Sequence, residues 1–290
     1  MKKLIITLIT ALLLPAVAIF ASDTTETITR QYKFNAPFSA IKTYAGVTVK
    51  YSVMPDGYKP TGRLVVEKAA KDDSIELTVK DGVLCFGFAN GNMGINSTRI
   101  DSFGDLMNLI RYGAKKMSRA NRKATLYLSA PAVNNITASS SSSVEVLGDF
   151  ITQSDIYLKS SSGADIEFSS LSCMKLDVKT SSGADVEINY LVADRIYADA
   201  SSGSDIDLEN IKVTGRVTAS ASSGADIDLQ GTAGTAKLTA SSGADISGRK
   251  LLVSTAELNA SSGASVNVTA PDGAEIHSSS GGSAKRYRKL

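Results

Sequence analysis

An eight-residue peptide, Ser161-Ser162-Gly163-Ala164-Asp165-Ile166-Glu167-Phe168, returns along the second half of this chain. That recurrence restricts the possible folds more than any other feature. Copies follow at Ser181–Ile188, Ser201–Leu208, Ser222–Leu229 and Ser241–Ile246, with weaker ones at Ser261–Val266 and Ser279–Ser283. The motif glycines, from Gly163 to Gly281, are spaced by 20, 20, 21, 19, 20 and 18 residues. A period near 20 residues predicts a solenoid, in which each unit buries its apolar face only by stacking on its neighbours.

Within one copy Ala164, Ile166 and Phe168 alternate with Asp165 and Glu167, the pattern of a half-buried strand. A second alternating run closes each unit, as in Met174, Leu176 and Val178 against Lys175, Asp177 and Lys179. A variable turn such as Ser169–Cys173 separates the two runs. Ser-Ser-Gly marks the other bend, where a Cβ at Gly183 or Gly203 is expected to be costly. Two strands and two bends per period predict a β-coil. No repeat has the three- and four-residue spacing of a helical unit. Stacked coils bring equivalent residues about 4.8 Å apart. The expected inner ladders are Ala164/Ala184/Ser204/Ala225/Ala244/Ala264 and Ile166/Val186/Ile206/Ile227/Ile246/Val266. The same alternation predicts that Ser162, Ser182, Ser202, Ser223, Ser242 and Ser262 point inward and hydrogen-bond there.

The remaining chain divides around this repeat. Lys2 and Lys3 precede an apolar run, Leu4–Leu14, and small residues to Ala21, which reads as a signal peptide over 1–21. A transmembrane anchor is the alternative, but the run is short and carries Pro15. No later stretch is apolar enough to span a bilayer. Residues 28–90 read as irregular early coils that cap the solenoid, with turns at Pro55-Asp56-Gly57 and Lys80-Asp81-Gly82. Residues 91–122 break the pattern: Phe103, Leu106, Met107, Leu109 and Ile110 predict a short amphipathic helix from Asp101 to Arg119. Regular repeats fill 124–283, and 284–290 reads as a basic tail.

Without its first 21 residues the chain loses two of its 31 basic residues and none of its 29 acidic ones, so its formal charge is zero. That balance excludes a typical nucleic-acid binder. Cys85 and Cys173 read as two separate buried thiols, with a disulfide in an oxidising compartment as the alternative, and their spacing suits no metal. No cofactor motif is present.

The outward residues form two acidic columns, Asp165, Asp185, Asp205, Asp226 and Asp245 beside Glu167, Glu187, Asp207 and Asp228. Like charges at strand spacing repel, and three things could offset them: solvent and salt, a hard cation such as calcium, or a basic partner surface. These nine carboxylates are the candidate binding face. A mostly basic column, Lys175, Arg195, Arg216 and Lys237, is expected on another face. The one histidine, His277, reads as a surface residue, and no nucleophile, base and orienting group stand out together.

The opening Phe38–Val49, the run from Leu126 that ends in ITASSSSSVEV, and the serial Ser-Ser-Gly-Ala-Asp together resemble the auto-transporter adhesin head GIN domain family, secreted β-helical proteins typical of Bacteroidetes. The resemblance spans residues 28–283. It implies an all-β fold, a right-handed single-stranded parallel β-helix, and an adhesion role. It supplies no catalytic residue, and the helical insert departs from it. The function expected is that of an exported, non-enzymatic binding protein, found in the periplasm, at the cell surface or outside the cell. Its ligand would be an extracellular or envelope glycan or protein. A structural envelope scaffold, or a carbohydrate-active enzyme of the pectin-lyase-like type, is the alternative.

Overall fold

The computed structural model describes residues 27–67, 75–88 and 123–288. Every regular element among them is a strand, and the 21 strands join one hydrogen-bonded sheet. The stretches read as signal peptide (1–21) and helical insert (91–122) lie outside the described residues.

From Ser143 onward the chain winds as a β-solenoid. One turn consists of the strands Asp185–Ile188, Leu191–Ala193 and Arg195–Ser201. Each pairs in parallel with its equivalents one period away. Val186 lies opposite Ile166 and Ile206, Leu191 opposite Leu171 and Ile211, and Ile196 opposite Leu176 and Val217. A coil thus has three walls, not the two strands expected. The stretch read as the turn Ser169–Cys173 holds a buried step of its own, because Leu171, Leu191, Ile211 and Leu251 recur with the period and are each at most 1% exposed.

The predicted ladder Ile166/Val186/Ile206/Ile227/Ile246/Val266 is fully buried, and Leu64, Leu126, Val49 and Val144 extend it at the N-terminal end. Burying each such side chain contributes about 1.5–3 kcal/mol. Phe150 packs edge-on against both Tyr51 and Phe168, with centroids 6.2 and 5.6 Å away, and so joins early coils to regular ones.

The bend serines are placed differently from the expectation. Ser162, Ser182, Ser202, Ser223, Ser242 and Ser262 are exposed. Each has a left-handed φ between 53° and 60° and is followed by a glycine with φ also positive. Simple alternation holds only along extended backbone, and two left-handed residues in succession reset its phase. The inward hydroxyls belong to other residues: Thr43 pairs with Ser142 at 2.8 Å and Thr180 with Ser204 at 2.9 Å. Where serine replaces alanine in the inner ladder, a threonine across the corner therefore satisfies it. Met174, expected inside, is 52% exposed, since it stands at the corner before its strand begins.

The N-terminal region is not a simple series of early coils. β1 (Thr27–Lys33), β2 (Ala40–Tyr44), β3 (Thr48–Met54), β4 (Thr61–Glu67), β5 (Ile75–Lys80) and β6 (Val83–Phe88) precede β7 (Ala124–Pro131), β8 (Asn135–Ser139) and β9 (Ser143–Ile151). β2 lies between β6 and β8, and β3 between β7 and β9. From β1 at the outer edge the chain therefore steps inward to β2 and β3, moves back outward through β4–β7, and returns inward at β8 and β9. β4 pairs antiparallel with β7 and β1, and β5 antiparallel with β6. These antiparallel strands cover an end that would otherwise expose unpaired parallel edges. Residues 284–287, read as a tail, lie in the last strand, Ser283–Tyr287, paired with Ser265–Thr269. Asp272 binds Arg286 at 2.6 Å and Arg288 at 3.0 Å there.

Candidate functional site

The strand after each Ser-Ser-Gly bend sends its isoleucine or valine inward, so its carboxylates must face out. Register then aligns them. Asp165, Asp185, Asp205, Asp226 and Asp245 pair in unbroken succession, as do Glu167, Glu187, Asp207 and Asp228. All nine expected residues stand on one wall, exposed except for the half-buried Asp207.

The structure adds a member that the sequence reading left out. Glu145 continues the second column, and Lys50 lies opposite it with a 2.7 Å ion pair. Beyond Lys50 the column continues through Tyr127 to Arg63, whose guanidinium sits 4.1 Å over the Tyr127 ring. At the far end it runs through Ser247 and Asn267 to Lys285. The wall is therefore basic at each end and acidic between. Only the "VEV" after the degenerate Ser139–Ser143 bend signalled Glu145; Lys50 is nearly a hundred residues away in sequence.

Burial raises the carboxyls of Asp165, Glu167, Asp185, Asp205, Asp207 and Asp226 above their ordinary range. In all but Asp165, neighbouring carboxylates raise them further. One oxygen of Asp207 is enclosed with no hydrogen-bond partner among the described residues. Among those residues no group of three or more Asp, Glu, His or Cys side chains converges as a metal site would require.

These shifts have a consequence for stability. A carboxyl whose pKa is higher folded than unfolded takes up its proton more readily in the folded state. Ionisation of the ladder therefore costs stability at neutral pH, and the cost is relieved as pH falls through the raised values. Each like-charged cross-strand pair costs about 0.2–1 kcal/mol, so relief along the ladder should reach roughly 1–3 kcal/mol. We expect Tm to rise by several degrees as pH is lowered from 7 toward the carboxylate range, and to rise with salt at pH 7. Below that range the gain should reverse, because Asp272 and Glu257, held down by Arg286 and Lys237, then lose their ion pairs. Changing Asp185, Asp205 and Asp226 to Asn should raise Tm at pH 7 and flatten the profile. Calorimetry at several pH values checks this, and a Tm that falls steadily from pH 7 would contradict it.

The expected basic column is only partly assembled. Lys175, Arg195 and Arg216 align, but Lys237 lies opposite Thr218, one column over, because the register shifts twice along this pair of strands, between Leu208 and Ile211 and between Val213 and Arg216. Cys85 and Cys173 are separate thiols, and burial pushes Cys173 up to about 12. His277 is exposed on the last coil beside a shallow depression that it lines with Thr239, Asn259 and serines, with no carboxylate among the described residues that line it.

Comparison with known proteins agrees with this architecture. A putative adhesin from Parabacteroides merdae ATCC 43184 superposes with a TM-score of 0.69 at 12% identity, over 91% of this chain and 97% of that one. A putative adhesin from Bacteroides fragilis NCTC 9343 gives 0.58 at 18% identity, over 92% and 98%. A protein described as a putative lipid binding protein, from Parabacteroides distasonis ATCC 8503, gives 0.66 at 10% identity, over 90% and 96%. At these identities the likeness concerns the fold. No curated protein sequence matches. The model of one family matches residues 37–213 and again 187–288. The chain therefore belongs to the family described as "Putative auto-transporter adhesin, head GIN domain".

Proposed function

We propose that this chain is an exported adhesion protein that holds an envelope or extracellular ligand against its acidic wall. The observation that carries this reading is the double column of in-register carboxylates, ionised at a cost, in which the in-register cations among the described residues stand only at the ends of the second column. A surface that raises the energy of the unbound protein gains when a complementary surface arrives. Charge complementarity then favours a basic, extended or repetitive partner, engaged by several coils at once. Family membership supports adhesion in general terms. An enzyme would instead need one coil singled out by a base or a cleft, and no coil of this wall is.

The test is a matrix-protein and glycan array probed with the mature protein. Each ligand it retains is then measured against two variants that keep the wild-type circular dichroism. Asp205→Ala should weaken binding only a few-fold, because its neighbours offer the same surface. Changing Asp185, Asp205 and Asp226 together to Ala should weaken it about a hundredfold or more. A single substitution that abolishes binding or turnover with the fold intact would overturn this reading.

A further inference from the structure

Coils 147–197 break the uniformity of the repeat. Of the ten exposed large apolar or aromatic side chains among the described residues, seven lie there, and none falls between residues 198 and 275. Two of the seven, Tyr157 and Tyr197, stand in one column of the third wall with Asp177 between them. They are 39% and 40% exposed and, two strands apart, are separated by about 9.5 Å along the axis.

Lys175 rises from the neighbouring column into this gap. Its ammonium lies 4.8 Å from the Tyr157 centroid and 6.0 Å from that of Tyr197. It donates to the Tyr157 hydroxyl at 3.3 Å and pairs with Asp155 at 3.3 Å. An ammonium has three protons, so one donor is left between the two rings. The result is a ridge of ring, cation and ring, held in place before any ligand arrives.

We propose that this ridge binds an extended, uncharged, β-linked polysaccharide that runs along the solenoid axis. A pyranose has apolar C–H faces and a rim of hydroxyls. The C–H groups suit the negative face of a phenol ring. Every second sugar of an extended β-linked chain recurs at about the separation of the two tyrosines. The sugar between them meets the remaining Lys175 donor and the Asp177 acceptor. Local charge is balanced, Lys159, Lys175, Lys179 and Arg195 against Asp155, Asp177, Asp194 and Asp199, which selects against a strongly charged ligand. A protein partner is disfavoured, since cores of protein interfaces are depleted of such charges. This site is separate from the acidic wall and does not rest on its role.

The sequence has no Trp, so tyrosine fluorescence can report on the site directly. The mature protein would be titrated with cellohexaose and chitohexaose, and with maltohexaose as a curved counter-probe, by calorimetry and fluorescence. Saturable binding of at least one β-linked hexasaccharide, and weaker binding of maltohexaose, is expected. Tyr157→Ala and Tyr197→Ala should each lower affinity about tenfold, and the pair together should remove binding. Tyr58→Ala, at an exposed tyrosine elsewhere, and the Asp185, Asp205 and Asp226 triple variant should both leave it unchanged. No saturable binding of either β-linked sugar overturns the proposal, as does a double variant that binds like wild type. Loss in that variant of a protein ligand only, with no sugar bound by either form, would assign the ridge to protein contact and also overturn it.

Discussion

Replacing Ile206 by Asp should destabilise this protein by about 4–6 kcal/mol, lowering Tm by roughly 10–20 °C. Ile206 is 1% exposed and lies in register between Val186 and Ile227. The substitution forfeits the burial of a branched side chain and places a carboxylate where no donor waits. The loss is a large part of the 5–15 kcal/mol that holds a typical domain together. The control is one residue away. Asp205→Ile puts a β-former on the outer face and removes a like-charge contact, and should change stability by at most about 1 kcal/mol. Because a solenoid is held by nearest-neighbour contacts, hydrogen exchange in Ile206→Asp should accelerate most in the flanking coils. Equal melting temperatures for the two variants would refute the ladder.

Gly231→Ala should be the second severe change, costing roughly 3 kcal/mol or more, against about 1 kcal/mol for Gly203→Ala. A Cβ at Gly231 would stand 2.2 Å from the Ile211 carbonyl oxygen and 2.6 Å from its nitrogen. Both are main-chain atoms of the coil beneath and cannot move without disturbing that coil. Gly231 also has a φ of 136°. At Gly203 the nearest atom would be a carbonyl oxygen at 4.0 Å, so only the left-handed φ of 63° opposes a side chain. Serines in the same region of backbone at Ser182 and Ser202 show that such a cost is tolerated. The bend glycines, though they mark the repeat, are thus cheaper to replace than a glycine outside the motif. Thermal denaturation of the two variants decides it: if Gly203→Ala melts at or below Gly231→Ala, the steric argument fails.

The local pattern of this chain settled a great deal. A 20-residue period, alternation within it, and a Ser-Ser-Gly bend were enough to predict stacked coils, the Ile166–Val266 ladder and the outward acidic columns. The physical reason is that each coil contacts only its neighbours, so a repeat in sequence becomes a translation in space. Alternation failed where the backbone leaves the extended region. It sent the bend serines inward, missed the middle wall at Leu171 and Leu191, and buried Met174. Two one-residue register shifts were enough to remove Lys237 from the basic column. Tertiary structure alone decided what depends on distant pairing. It set β2 and β3 between strands that come later in the chain, and it brought Lys50 against Glu145. It also placed Lys175 between Tyr157 and Tyr197. Such contacts join residues that share no local pattern, and their register is set by how the whole sheet stacks.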